Sequence, residues 1–259
     1  MKSGLFNRVI AAFAIAGACA LPLAAQGRQG GGRQGGAPTP RAAAPLDLTG
    51  TWVSLVTEDW RWRMMTPPKG DYSSIPLTPA GIALVNAWDP AKDTAAGEQC
   101  RSYGAAAIMR VPGRVRIGWQ DDATLKVETE AGTQTRLFHF GRSAQPEAPS
   151  WQGLSLATWR VAGAGGRNAG NASQRGGSLK VVTTNLKAGY LRKNGVPYSA
   201  NATVTEYFNR VIDPVDNQAY LVVTTVIDDP QYLRQRFFTS SHFRKVDDGV
   251  WKPRPCTAD

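Results

Sequence analysis

Two histidines are the first candidates for chemistry in this chain. His139 lies in "TQTRLFHFG" and His242 in "FFTSSHFRK", and the 259 residues contain no other histidine. Imidazole titrates nearest to neutral pH, so two histidines in a dry cavity could act as general acid and base. The alternative is that each ring is structural and is hydrogen-bonded to a neighbour. The choice depends on whether both side chains point into one cavity.

A second candidate is the segment "NLKAGYLRKNGVPYSAN", residues 185–201. Tyr190, Arg192 and Tyr198 would suit a small anionic or aromatic ligand, through stacking and bidentate hydrogen bonds. The Asn-Gly pair within the segment equally indicates an ordinary solvated hairpin turn. We add Arg110 and Asp228 to the predicted ligand-binding residues.

Asp228 and Asp229 precede a proline and could form a proton-transfer pair, although Asp-Asp-Pro more often ends a strand and begins a turn. Together with His139 and His242, Asp228 could also complete a metal site of two histidines and a carboxylate. Nothing in the sequence fixes the distances between these residues. Phosphate-binding loops, Gly-x-Ser-x-Gly elbows and zinc-ligand spacings are absent. We therefore expect neither a metal nor a cofactor.

The N-terminus has the layout of a secretory signal peptide over residues 1–25, with basic residues, an apolar run and then small residues. Acylation at Cys19, as in a lipoprotein, is the alternative. No later segment is apolar enough to span a membrane. The sequence predicts an exported protein, periplasmic or secreted, without an integral membrane segment.

Residues 26–45 repeat GRQGG and lack large apolar side chains, so they are predicted to form a disordered tether. Residues 46–259 are predicted to form one domain. The formal net charge is +10, but no basic patch with interleaved aromatic residues accompanies it, so no nucleic acid partner is expected.

Short runs of β-branched and aromatic residues recur between turn signals, which is typical of an all-β, mainly antiparallel barrel of about 8–10 strands. The candidate strands are 50–57, 105–111, 114–119, 124–130, 133–140, 153–161, 178–185, 202–212, 218–227 and 237–246. One short helix is predicted over 79–88, with Thr78 as its cap and Pro79 in its first turn. The Gly-rich stretch 162–177 is predicted to be a long flexible insertion or, alternatively, a mobile lid.

Charge and turn chemistry predict the register of the strands from 114 to 140. A three-residue loop at 121–123 places Trp119 opposite Leu125, Ile117 opposite Val127, Arg116 opposite Glu128 and Arg114 opposite Glu130. A second three-residue loop, with Gly132 at a positive φ, places Leu125 opposite Leu137 and directs His139 inward. A shift of one residue would direct His139 outward.

The run "SLVTEDWRWRMMTPP", residues 54–68, alternates aromatic and basic residues. Its apolar face is expected to cover a core. An exposed version would be a binding surface.

Cys100 and Cys256 are the only cysteines left after removal of the signal peptide. In an oxidising compartment two such thiols pair most simply with each other, so we predict a disulfide that ties the C-terminal tail to the body.

The stretch "DLTGTWV" resembles the Gly-x-Trp that opens the first strand of lipocalin-like barrels. That resemblance implies an arginine of the last strand packed against Trp52, here Arg244, and a disulfide that staples the C-terminal segment. His242 would then face inward as well. The stretches "GEQCRSYGAAAIMRVPGR", "GYLRKNGVPYSAN" and "VIDDPQYL" resemble a group of exported bacterial proteins of unassigned function, which implies a β-rich exported protein and no activity.

Three functional hypotheses follow from these features. The first is a barrel that binds a small, largely apolar or aromatic molecule in its interior. The second is a cofactor-independent lyase, isomerase or hydrolase that uses His139 and His242. The third is an envelope interaction protein with a fully packed barrel and an active outer surface.

Overall fold

The computed structural model describes residues 37–141, 148–161 and 176–258. The predicted signal peptide, most of the predicted tether and most of the predicted insertion at 162–177 lie outside these ranges. Residues 37–45 were expected to belong to the tether, but they contact the barrel. The indole nitrogen of Trp159 donates a hydrogen bond to the carbonyl oxygen of Pro40 at 2.8 Å, and Pro45 is buried. Composition missed this contact because it depends on a backbone oxygen and a proline ring rather than on large apolar side chains.

Eleven strands occur in the described residues, and nine of them close into a barrel. The strands are β1 (Gly50–Leu55), β2 (Arg114–Asp121), β3 (Thr124–Thr129), β4 (Gln134–Phe140), β5 (Leu154–Val161), β6 (Gly177–Thr184), β7 (Gly189–Arg192), β8 (Val196–Tyr198), β9 (Thr203–Ile212), β10 (Ala219–Asp228) and β11 (Phe237–Val246). The order around the barrel is β1-β11-β10-β9-β6-β5-β4-β3-β2, and β7 pairs with β8 in a separate hairpin. Neighbouring barrel strands are antiparallel except β4 and β5, which are parallel. The predicted all-β barrel is confirmed.

Three short helices occur in the described residues: α1 (Trp60–Arg63), α2 (Pro79–Ala87) and α3 (Pro90–Ala95). Helix α2 matches the prediction, and the side chain of Thr78 caps it by accepting a hydrogen bond from the backbone nitrogen of Gly81. The strand predicted over 105–111 is wrong, because this stretch contains a 3-10 turn at Ile108–Arg110. None of the described helices is long and apolar enough to cross a membrane.

The register predicted between β2 and β3 is confirmed. Ile117 lies opposite Val127, Trp119 opposite Leu125 and Arg116 opposite Glu128. The backbone of Glu130 donates to the carbonyl oxygen of Arg114 at 3.0 Å. The predicted three-residue loop at 121–123 is wrong, because Asp121 pairs with Thr124 after an irregularity that follows Trp119, and the turn contains only residues 122–123. The opposite charges on facing positions were nevertheless sufficient to place the two strands.

The register predicted between β3 and β4 is wrong by one residue. Leu125 lies opposite Phe138 and Thr129 opposite Gln134, so the connecting loop contains four residues rather than three. The cause is Thr133, which adopts a positive φ of 51° beside Gly132 at 70°. A one-residue shift exchanges the two faces of a strand. His139 consequently faces outward, and Arg136 faces inward.

The predicted arrangement of the last strand is also wrong by one residue. Trp52 is fully buried and lies opposite Lys245, whose ammonium nitrogen is 5.6 Å from the indole centroid. Phe243 is fully buried on the inward face, so its neighbours His242 and Arg244 face outward. Lys245 therefore occupies the position beside Trp52 that the lipocalin resemblance implied for Arg244.

The two histidines cannot share a cavity inside the barrel. His139 is on β4 and His242 is on β11, and three barrel strands separate these strands in one direction and four in the other. The two side chains thus lie on nearly opposite walls and both face outward. The prediction that they line one interior is wrong.

Large side chains fill the barrel interior. The fully buried ones include Trp52, Leu125, Phe138, Leu179, Phe208, Leu221 and Phe243. Among them lies an ion pair in which both guanidinium η nitrogens of Arg136 donate to the carboxylate of Glu206, and both side chains are completely buried. The hydroxyl of Thr183 accepts a further hydrogen bond from Arg136 at 3.3 Å.

The ends of the barrel are closed by different elements. Trp119, Phe140 and Trp159 form an aromatic cluster at one end, with ring centroids 5.3–6.4 Å apart. At the other end, Tyr198 and Val196 of the β7–β8 hairpin pack into an apolar cluster with α2. Cys100 and Cys256 are disulfide-bonded, as predicted, and the bond joins the C-terminal segment to the body.

Candidate anion-binding site

Three buried arginines meet beside the end of the barrel where β1 ends and β2 begins. Arg63 is the last residue of α1, Arg110 ends the 3-10 turn at Ile108–Arg110, and Arg192 is the last residue of β7. Their exposed fractions are 7%, 6% and 4%, respectively. We call these three residues the arginine cluster. Arginine is rarely buried to this extent unless it is paired, so the partners of each side chain decide what the cluster can do.

Two of the three arginines have carboxylate partners. Asp59 adopts a left-handed φ of 52° immediately before α1, and this bend brings two adjacent carboxylates to the cluster. Arg63 donates through Nη1 to Glu58 at 2.7 Å, and Arg110 donates through Nη2 to Asp59 at 2.8 Å.

Arg192 is held by neutral groups. Its Nη2 donates to the carbonyl oxygen of Ser73 at 2.9 Å and to the hydroxyl of Ser74 at 3.4 Å. The guanidinium carbon lies 4.6 Å from the centroid of the Trp62 indole ring. Trp62 is itself oriented by a hydrogen bond from its indole nitrogen to Asp71 at 3.0 Å. Stacking of this kind is common for arginine and leaves its in-plane N–H groups free to bind an anion.

The tip of the β7–β8 hairpin fixes the position of Arg192. Asn194 is fully buried, and its amide nitrogen donates to the carbonyl oxygens of Pro68 and Asp71 at 2.9 and 2.8 Å. Gly195 has a φ of 80° and lies directly against Trp88. The hairpin predicted from Asn-Gly is present, but its tip is buried rather than solvated.

Five polar atoms in this region have no hydrogen-bond partner among the described residues. They are Nη2 of Arg63, Nη1 of Arg110, Nε and Nη1 of Arg192, and the hydroxyl of Ser102. All four residues line one cavity of about 30 Å³, which we call the head-group cavity. Buried polar atoms are normally paired, so this concentration of unpaired donors indicates a place for an acceptor.

The number of donors favours an anion over a single water molecule. The head-group cavity, about 30 Å³ in volume, is close to the space that one water takes up in the liquid. A water accepts two hydrogen bonds, whereas a carboxylate offers about four lone-pair positions and a negative charge. Four unpaired guanidinium nitrogens therefore match a carboxylate better, and the hydrogen bonds to it would be charge-assisted.

The electrostatics of the cluster point in the same direction. Burial and the nearby charge of Arg110 lower the pKa of Arg192 to about 10, which leaves it protonated at neutral pH. Burial also lowers the pKa of Arg63, although the charge of Glu58 opposes that shift. With three cations and only two directly bonded carboxylates, the cluster retains an excess positive charge that an anion would neutralise.

A larger cleft adjoins the head-group cavity. It has a volume of about 530 Å³ and shares Arg63, Val111 and Lys193 with the smaller cavity. Its other apolar residues include Met64, Met65, Pro112, Ala131 and Pro255. We call it the methionine cleft. Met64 and Met65 expose 60% and 71% of their surface, so they form an accessible wall.

His242 lies outside the barrel near this site and reaches it only indirectly. Its Nδ1 is 3.3 Å from the Glu58 carboxylate that also pairs with Arg63, and its Nε2 is 3.2 Å from the Ser240 hydroxyl. His139 is on the far wall. Of the two predicted catalytic residues, only His242 is connected to the arginine cluster.

The other predicted ligand-binding residues are not in the cluster. The Tyr190 hydroxyl donates to Asp93 at 2.8 Å, and burial raises its pKa. Tyr198 is completely buried. Both line a separate cavity of about 250 Å³. Asp228 lies at the surface, where it accepts a hydrogen bond from Arg236 at 2.9 Å.

Asp229 has a structural role. Its carboxylate accepts hydrogen bonds from both the backbone nitrogen and the hydroxyl of Ser199, each at 2.7 Å, and from the backbone nitrogen of Gln231 at 3.0 Å. Such a carboxylate orders the turn after β10. The turn interpretation of Asp-Asp-Pro is therefore the better one.

Sequence reasoning identified Arg110 and Arg192 but missed Arg63, Trp62 and Ser102. The alternation in "WRWRMM" indicated two faces of an extended run, whereas residues 60–63 are helical and turn Arg63 inward while Trp60 is exposed. The usable signal was the pair Glu58-Asp59 four to five residues before Arg63, because acidic residues near an arginine can compensate for its burial.

Comparisons of the chain with family models, with curated proteins and with solved structures give no match. The functional interpretation therefore depends on the geometry of the arginine cluster.

Proposed function

We propose that this protein is a binding barrel that recognises the anionic group of a small organic ligand at the arginine cluster. The observation that supports this proposal is the set of four guanidinium nitrogens without partners, which belong to three arginines that line one head-group cavity. Arginine suits this role because its planar donors match the geometry of a carboxylate. The ligand site lies at the end of the barrel and not in its interior, which side chains occupy.

The cluster is organised in advance for binding. Arg63 and Arg110 are held by carboxylates, and Arg192 is held by Ser73 and by the Trp62 ring. A ligand therefore does not have to order these side chains, which removes an entropic cost of about 0.5–1.5 kcal/mol for each of them.

Acid–base catalysis by His139 and His242 loses its geometric basis, because the rings face outward from nearly opposite walls. Binding does not require these histidines. Export to the periplasm or beyond remains part of the proposal, and the Cys100–Cys256 disulfide supports it because such bonds persist in oxidising compartments.

Isothermal titration calorimetry with benzoate and benzamide tests the proposal. The two probes have similar shape, but only benzoate is charged. We expect measurable benzoate binding and at least about tenfold weaker benzamide binding, since hydrogen bonds to charged groups contribute about 1.5–3 kcal/mol. Equal affinity for both probes, or no binding of benzoate, would refute recognition of an anion.

The variant Arg192→Met locates the site. It keeps much of the apolar stem but removes the arginine whose hydrogen bonds go to neutral groups. We expect it to lose benzoate binding. Arg236→Met is the matched control, because Arg236 is exposed and bonds to Asp228 away from the cluster. Loss of binding in both variants would show that the effect depends on net charge and not on the site.

A further inference from the structure

We infer that the ligand is an amphipathic monocarboxylate whose acid group enters the head-group cavity and whose apolar chain lies in the methionine cleft. This inference rests on the proposed function and specifies the class of ligand. It places the chain outside the barrel wall, beside α1 and the C-terminal segment.

The head-group cavity and the methionine cleft differ in size, and this difference indicates which part of the ligand each would hold. The head-group cavity, at about 30 Å³, is too small for an apolar chain, so only a small head group would enter it. The methionine cleft, at about 530 Å³, falls within the size range of small-molecule sites. Because Arg63 and Val111 line both spaces, a carboxylate at the cluster would direct its attached chain into the cleft.

The walls of the cleft combine cationic and apolar residues. Arg63, Lys193 and Arg254 are cationic, whereas Met64, Met65 and Pro255 present apolar surface. Methionine side chains are flexible and polarisable, and they adapt to apolar ligands of varied shape. Their exposure next to a cationic cluster matches a ligand with one charged end and one apolar body.

The C-terminal segment forms the opposite wall and is firmly attached. The backbone of Arg254 donates to the carbonyl oxygen of Glu130 at 2.7 Å, and the Thr133 hydroxyl donates to the carbonyl oxygen of Arg254 at 3.1 Å. The disulfide at Cys256 holds the next residues. The cleft is thus bounded on both sides before any ligand enters.

Calorimetry with acetate, butanoate, hexanoate and octanoate tests this inference. Burial of one methylene contributes about 0.8 kcal/mol, so we expect affinity to rise about threefold to fourfold for each methylene that enters the cleft. The double variant Met64→Gln/Met65→Gln should reduce that increment. Val215→Gln is the matched control, because Val215 is 93% exposed and does not line the cleft.

The outcomes separate the inference from the proposed function. If benzoate binds and the affinity of the series does not depend on chain length, the amphipathic ligand is refuted while anion recognition stands. If chain length matters equally in the wild-type protein and in the methionine double variant, the chain does not use the methionine cleft, and the inference fails. If no carboxylate binds, the proposed function fails with it.

Discussion

The Nε of Arg63 donates a hydrogen bond to the backbone carbonyl oxygen of Arg110 at 2.9 Å. This contact joins α1 to the 3-10 turn that precedes β2, and it sets two like-charged side chains side by side. Each of the two then reaches its own carboxylate, Glu58 or Asp59. The spacing of the cluster is therefore fixed by backbone as well as by charge, which is what recognition of an anion requires.

The buried ion pair inside the barrel should depend on both of its members. Arg136→Met leaves the Glu206 carboxylate buried without its bidentate partner, and we expect a loss of about 3–5 kcal/mol in the free energy of unfolding. The double variant Arg136→Met/Glu206→Leu should recover most of this loss. Urea unfolding measures both. A double variant as unstable as the single one would contradict this account of the pair.

The hairpin tip that positions Arg192 should tolerate only glycine at residue 195. A Cβ there would lie 2.1 Å from Cγ of Trp88, and the φ of 80° is itself unfavourable for other residues. We expect Gly195→Ala to cost about 2–3 kcal/mol of stability and to weaken benzoate binding. Gly118→Ala, where a Cβ meets nothing within 4 Å, is the control in thermal unfolding. Equal melting temperatures for the two variants would show that the contact with Trp88 is not restrictive.

The disulfide should stabilise the fold and the outer wall of the methionine cleft. It closes a sequence separation of 156 residues, and a loop of that size is expected to contribute about 3–5 kcal/mol. Alkylation of the denatured, unreduced protein should label neither cysteine. In Cys100→Ser/Cys256→Ser, octanoate affinity should fall more than acetate affinity, because the cleft wall loosens while the arginine cluster stays. An equal fall in affinity for octanoate and acetate would contradict the prediction that the disulfide supports the cleft and not the arginine cluster.

Anion binding should decrease at high pH. The free protein holds the pKa of Arg192 at about 10, and a bound carboxylate favours the protonated form and so raises it. The affinity for the anion is therefore highest below that pKa. It declines as the pH rises through the pKa, by up to about tenfold per pH unit. Benzoate titrations between about pH 8 and about pH 11, with circular dichroism to monitor folding, measure the decline. An affinity that is unchanged across this interval in folded protein would contradict the assignment of Arg192.

The barrel could be predicted from sequence because its strands alternate and its turns are marked by recognisable residues. The β2–β3 hairpin followed directly from opposite charges on facing positions. The next hairpin could not be placed, since its loop length depends on Thr133 adopting a positive φ, a conformation that threonine rarely shows. That single residue decides which face His139 occupies.

The site was only partly predictable. Arg192 could be predicted as a binding residue because aromatic residues and an Asn-Gly turn surround it in the sequence. Its contact with Arg63 and Arg110 could not be predicted, because a short helix, a 3-10 turn and a hairpin that lie far apart in the chain bring the three residues together. The burial of the three arginines could not be predicted from residue type either, because arginine is usually exposed at protein surfaces.

A crystal structure with bound 4-bromobenzoate tests the central claim most directly, because the anomalous signal of bromine locates the ring without ambiguity. We expect the carboxylate to lie within hydrogen-bonding distance, roughly 3 Å, of guanidinium nitrogens of Arg110 and Arg192. We expect the bromine to lie in the methionine cleft. Bromine density in the barrel interior or beside Tyr190, or an arginine cluster that holds only water at saturating ligand, would contradict it.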